Sequence, residues 1–123
     1  MVAGRSKEHR MTQYLISFND GDMTFPDEDL PDVAKAARAV VQEIKDAGQF
    51  VFAGGLGDPG KATVVATNGM VSEGPNPATK DFIGGFTVVD VATRAEALQW
   101  AAKIAVACRC AQEIREFLSK PAR

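Results

Sequence analysis

Few residues of this chain stand in company that could do chemistry. Lys80 and Asp81 are neighbours, with Glu73 upstream, in the run Ser72-Glu73-Gly74-Pro75-Asn76-Pro77-Ala78-Thr79-Lys80-Asp81. A lysine beside a carboxylate can pass protons or neutralise an anionic ligand, once a stiff loop holds both in place. The bland alternative is a pair of solvated charges beside a turn. Asp20 is the next candidate proton carrier, in a loop shared with Asp22, Asp27, Glu28 and Asp29. The spacing of these carboxylates fits no defined calcium loop, so a solvated loop leading into a helix is expected and no metal site.

Two further patterns look like chemistry and dissolve on inspection. Gly55-Leu56-Gly57-Asp58-Pro59-Gly60 matches the dinucleotide-binding G-x-G-x-x-G, and Lys61 almost completes a phosphate loop. Both mechanisms require a helix N-terminus next, whose amides hold phosphate. Lys61-Ala62-Thr63-Val64-Val65-Ala66-Thr67 reads as a strand instead, and Ala62 stands where a metal-binding hydroxyl would be needed. The expectation is a glycine-rich turn and no nucleotide or other cofactor. Cys108 and Cys110, one residue apart, would be strained as an internal disulfide and have no partners for zinc, so they read as reduced thiols. The single histidine, His9, lies in a polar N-terminal stretch, and no Ser-His-Asp or Cys-His arrangement can be assembled.

At 123 residues the chain is one domain, long enough for a core without disulfides or metals. A net charge of −2 argues against nucleic acid or anionic lipid as a partner. No apolar run is long enough for a membrane span, and the N-terminus lacks a signal-peptide core, so a cytoplasmic location is expected.

The elements that must position the candidate residues are set by pattern. Residues 1–10 read as a flexible extension, 11–118 as the domain and 119–123 as a tail. Met11 to Asn19 reads as a strand with Tyr14, Ile16 and Phe18 on one face. A helix is expected from Pro31 to Ala47, with Asp27, Glu28 and Asp29 near its positive end and Gly48 as its C-terminal cap. Gln49 to Gly54 reads as a strand, and Thr63–Thr67 with Met70–Glu73 bracket the hairpin signal Asn68-Gly69. Ile83 to Val91 reads as a buried central strand. Thr93 and Glu96 make a capping box that opens a second helix to about Ala107, with Trp100 on its inner stripe. Gln112 to Phe117 closes the domain. Two helices, each between strands, give an α+β ferredoxin-like sandwich, with both helices on one face of a mostly antiparallel sheet. The other face would be closed by a second copy, hence a homodimer.

The stretch from Ser72 to Phe86 resembles the YCII-related family, in particular its branch named for an Asp-Gly-Pro-Phe motif (DGPF). Gly74, Pro75, Thr79, Lys80, Gly84 and Gly85 match that branch, whereas Glu73, Asn76 and Ala78 replace its Asp, Phe and Glu. The likeness continues through Asp46-Ala47-Gly48, Ala95-Glu96-Ala97, Trp100-Ala101 and Ile114-Arg115, from about Met11 to Phe117. It implies a ferredoxin-like fold, a dimer related to the dimeric α/β barrels, and a pocket near the dimer seam. Gly74, Pro75, Thr79, Lys80, Gly84 and Tyr14 are the expected ligand-binding residues. Other branches carry a His–Asp acid–base pair with the His on the first helix. Here that place falls near Ala37, and Asp46 alone has a counterpart.

The leading reading is therefore a dimeric small-molecule-binding or accessory domain, leaning away from catalysis. The runner-up is an isomerase, lyase or dehalogenase acting on a small anionic or aromatic compound through Lys80, with Asp81, Glu73 or Asp20. A third reading, suggested by family relatives found beside sigma factors, is an accessory protein in sigma-factor-linked regulation.

Overall fold

A computed structural model of the chain describes residues 11–119; the expected extension over 1–10, with His9, and residues 120–123 of the tail lie outside these. The described elements run β1 (Thr12–Asn19), α1 (Leu30–Asp46), β2 (Phe50–Gly55), β3 (Thr63–Val65), β4 (Val71–Glu73), β5 (Ile83–Val91), α2 (Arg94–Cys108) and β6 (Glu113–Glu116). Four strands form one sheet in the order β2-β5-β1-β6, all pairs antiparallel, while β3 and β4 pair only with each other. Strand order and connectivity agree with a ferredoxin-like α+β sandwich.

Side-chain alternation decides what each sheet face carries. Tyr14, Ile16, Val89 and Val91 face one side and bury against Val40 and Ile44 of α1 and Ala97, Ala101 and Ile104 of α2. The opposite face carries Leu15, Phe86, Val88 and Phe52. Val88 sits there beneath its strand partners Leu15 and Phe52 and is only 8% exposed, while Phe52 is 59% exposed. Tyr14 thus belongs to the helix-covered core and takes no part in covering the open face.

Local sequence sets the helix limits. Asp27–Asp29 form a single 3-10 turn before α1, and the Asp29 side chain makes no cap hydrogen bond; it pairs instead with Arg109 at 2.8 Å. Gly48 ends α1 with a positive φ, its N–H reaching the Lys45 carbonyl while the Gln49 N–H reaches that of Ile44. That double bond is the Schellman closure, which favours glycine at this position. Thr93 and Glu96 cap α2 reciprocally as expected. Trp100, expected in the core, lies half-buried at its margin, because its indole N–H needs an acceptor and finds Gln49 Oε1 at 2.7 Å. The Asn68-Gly69 signal does give a hairpin. Gly69 alone in it takes a positive φ, its N–H bonding the Ala66 carbonyl while the Ala66 N–H bonds that of Met70, so the connection is a three-residue loop rather than a two-residue one.

The start of β5, against the end of β1, leaves no room at two glycines. A Cβ on Gly85 would stand 2.6 Å from Phe18 Cζ, and one on Gly84 would stand 3.0 Å from both Cα and N of Asp20. Replacing either glycine with Val is expected to cost about 1–3 kcal/mol or more in urea denaturation. Adding Phe18→Ala should restore part of the loss at Gly85, where the obstacle is a ring. It should restore almost none at Gly84, where the obstacle is backbone. Parental stability in both single variants would contradict this packing.

Candidate functional site

A groove of about 590 Å³ opens where β2 ends and β5 begins. One wall is the glycine-rich turn, Leu56 to Ala62; the other is Thr79, Asp81, Phe82 and Ile83, where the loop enters β5. Both walls are pinned to the sheet. The Leu56 N–H donates to the Gly84 carbonyl at 2.8 Å, and the Asp20 N–H donates to the Phe82 carbonyl at 2.7 Å. The first residues of β5 are thereby clamped from both sides.

The glycine-rich wall is a turn, as its continuation into a strand requires. Pro59–Lys61 form one 3-10 turn, and Asp58 caps it by accepting the Gly60 N–H at 2.8 Å. β3 then starts at Thr63. No helix presents its amides to a phosphate here.

The second wall is shaped by prolines and an Asx turn. Gly74 takes φ +91, and its N–H closes the hairpin base on the Ala62 carbonyl at 2.7 Å. Asn76 Oδ1 accepts the Ala78 N–H at 2.9 Å, and the Asn76 carbonyl accepts that of Thr79. The β3–β4 hairpin is thus the stretch of chain that joins the two walls, with its base closed at Ala62 and Gly74. Val65, Met70 and Val71 on it are more than 60% exposed.

The expected site residues divide accordingly. Thr79 and Asp81 line the groove; Gly74, Pro75 and Gly84 do not, though Gly74 and Gly84 bond through their backbones to the lining residues Ala62 and Leu56. Lys80 is exposed, lies outside the lining and makes no ion pair among the described residues. The lysine that lines the groove is Lys61, from the motif whose spacing indicates only a turn. Asp20 contributes its backbone N–H, and Glu73 is exposed on β4 opposite Thr63. Tyr14 requires correction as a ligand residue: it is 5% exposed in the core and pairs with Val89. Ile83, which lines the groove, and its partner Asn19 lie about 17 Å further along that strand pair. Ala37, near which the resemblance would put a His, is half-buried on α1, whereas Asp46 is exposed and accepts from Gln42 Nε2 at 2.9 Å. Nine residues separate the two, about 900° of helix, so they lie on opposite sides of α1.

A smaller cleft of about 160 Å³ lies where β1 and β6 part, lined by Ser17, Asn19, Asp22, Gln112 and Glu113 among others. Among the described residues no group of three or more His, Cys, Asp or Glu is gathered for a metal ion. Cys108 and Cys110 near this cleft are free thiols. Burial pushes the Cys108 thiol up, and the neighbouring Cys110 adds to the effect. Burial also raises Cys110, helped by Asp22 and opposed by a hydrogen bond from Gln112. A raised pKa keeps the thiolate, the reactive form, scarce.

The folded state holds these thiol protons more tightly than the unfolded chain does. Their stabilisation is therefore intact below the ordinary thiol pKa of about 8.5 and lost as pH rises through the raised values. The denaturant midpoint should fall in that alkaline window, and less steeply in a Cys108→Ala, Cys110→Ser variant. Alkylation of the native thiols near neutral pH should lag that of a free thiol, with Cys110 reacting first. A variant with an unchanged alkaline slope would contradict the assignment.

The YCII-related domain family matches residues 12–118. No curated protein matches the chain. With residues 12–118 of the 123 matched, the chain belongs to the YCII-related domain family.

Proposed function

We propose that this domain binds a small molecule in the groove between the glycine-rich turn and the loop entering β5, and works as a dimer. The observation that carries the reading is the groove's composition: an apolar lining of Leu56, Pro59, Phe82 and Ile83 beside a rim of Asp58, Lys61, Thr79 and Asp81. A largely apolar concavity with a few polar groups is the usual form of a small-ligand site. The rim charges are all exposed, which favours holding a ligand over moving its protons, because proton transfer at neutral pH draws on desolvated groups. The turn at Gly74-Pro75 and the close approach at Gly84-Gly85 support assignment to the DGPF branch. The open sheet face, where the Phe52 and Phe86 rings stand 5.8 Å apart, supports closure by a second copy in a barrel-like dimer.

Isomerase-, lyase- or dehalogenase-type catalysis is the second reading. It is favoured by one observation, a lysine and a carboxylate facing one groove, and it would run through Lys61 and Asp81 rather than Lys80.

Screening isotopically labelled protein by NMR against small aromatic and aliphatic compounds tests the groove. Binders should shift amides of Leu56–Ala62 and Thr79–Ile83, and Phe82→Asp should abolish the response. Shifts confined to another surface would refute the site. Light scattering should return about twice the 13.1 kDa chain mass, with Phe52→Asp lowering it towards one chain. A monomeric parent protein would remove the dimer.

A further inference from the structure

The signs of charge around the groove narrow the ligand class. We infer that it takes an apolar α-amino acid in its zwitterionic form; this rests on the groove being the binding site. Lys61 is the one cation of the lining, and Asp58 and Asp81 are its anions. Asp58 is fixed in place, its Oδ1 held by the Gly60 N–H at 2.8 Å with the second oxygen uncommitted, while Asp81 has no side-chain partner among the described residues. Lys61 likewise has no ion-pair partner among them.

A ligand with only a carboxylate would meet Lys61 but also two aspartates. One with only an ammonium would meet the aspartates but also Lys61. A headgroup carrying both signs satisfies both, with the Thr79 hydroxyl free to join it. The body attached to that headgroup must be apolar, because Leu56, Phe82 and Ile83 face the same space and both walls are hydrogen-bonded to the sheet. Leu56 and Ile83 are 53% and 39% exposed, surface that a hydrophobic side chain would cover. A phosphate-bearing ligand is disfavoured by the same count, one cation against two anions with no helix N-terminus to assist.

Three compounds of one shape test this on the full chain: L-phenylalanine, 3-phenylpropanoate, which lacks the ammonium, and phenethylamine, which lacks the carboxylate. NMR titration should show L-phenylalanine shifting the groove amides with an affinity roughly five- to tenfold above either truncated compound. Lys61→Met should lower L-phenylalanine to the level of phenethylamine, and Asp58→Asn with Asp81→Asn should lower it to the level of 3-phenylpropanoate. If the truncated compounds bind the groove as tightly as the amino acid, the zwitterion assignment falls while the groove itself stands. An affinity advantage that survives in both variants also overturns the assignment. If none of the three shifts groove amides while other compounds do, the amino-acid class is wrong. Should no compound of any class reach the groove, the site falls with it.

Discussion

The rest of this structure depends on how closely β1 approaches β5 at Gly84 and Gly85. Phe18 and Asp20 occupy the volume where a Cβ on either glycine would stand. That closeness lets the Asp20 N–H reach the Phe82 carbonyl on one side, while the Leu56 N–H reaches the Gly84 carbonyl on the other. Both ties are backbone to backbone, so they fix position without asking anything of side chains. One contact region thus seats the central strand and sets the separation of the two groove walls.

The loops on either side of β5 use that anchorage. The glycine-rich turn and the proline-rich loop are exposed segments, and exposed loops carry sites only when a rigid element holds their ends. Here the rigid element is the β2-β5-β1 core of the sheet, itself backed by α1 and α2. The β3–β4 hairpin, paired only with itself, springs from those same two loops. Two-stranded hairpins have little stability of their own in water, so its feet do much to hold it.

How much of this the sequence displays depends on the range of the interaction. Caps and stripes are local and legible: Thr93 with Glu96, Gly48 after α1, and Val33, Val40 and Ile44 at helical spacing. Strand order is not local, and in the sequence it is visible only through the resemblance centred on Ser72 to Phe86. The site is half legible. Thr79 and Asp81 lie on the wall to which the resemblance points, but Lys61, Leu56 and Asp58 lie on the other, in a motif whose spacing speaks only for a turn. Nothing in linear spacing says that residues 56–62 stand opposite residues 79–83; the Leu56 bond to Gly84 of β5, which residues 79–83 lead into, does that. Tyr14 is misread from sequence for a similar reason. Its alternation with Ile16 and Phe18 identifies a face, but only the register Tyr14–Val89 and the packing of α1 and α2 show that the face is the covered one.

The groove is a fixed feature of the sheet's end rather than a gap between loose loops. Native-state hydrogen exchange at the Asp20 and Leu56 amides measures this most directly, since Leu56 ties one wall to β5 and Asp20, at the end of β1, ties the other wall through Phe82. Both should exchange slowly, with opening free energies near those of the β1–β5 amides. Exchange as fast as that of exposed loop amides would mean that the walls open independently of the sheet, and the groove would not be the fixed site described.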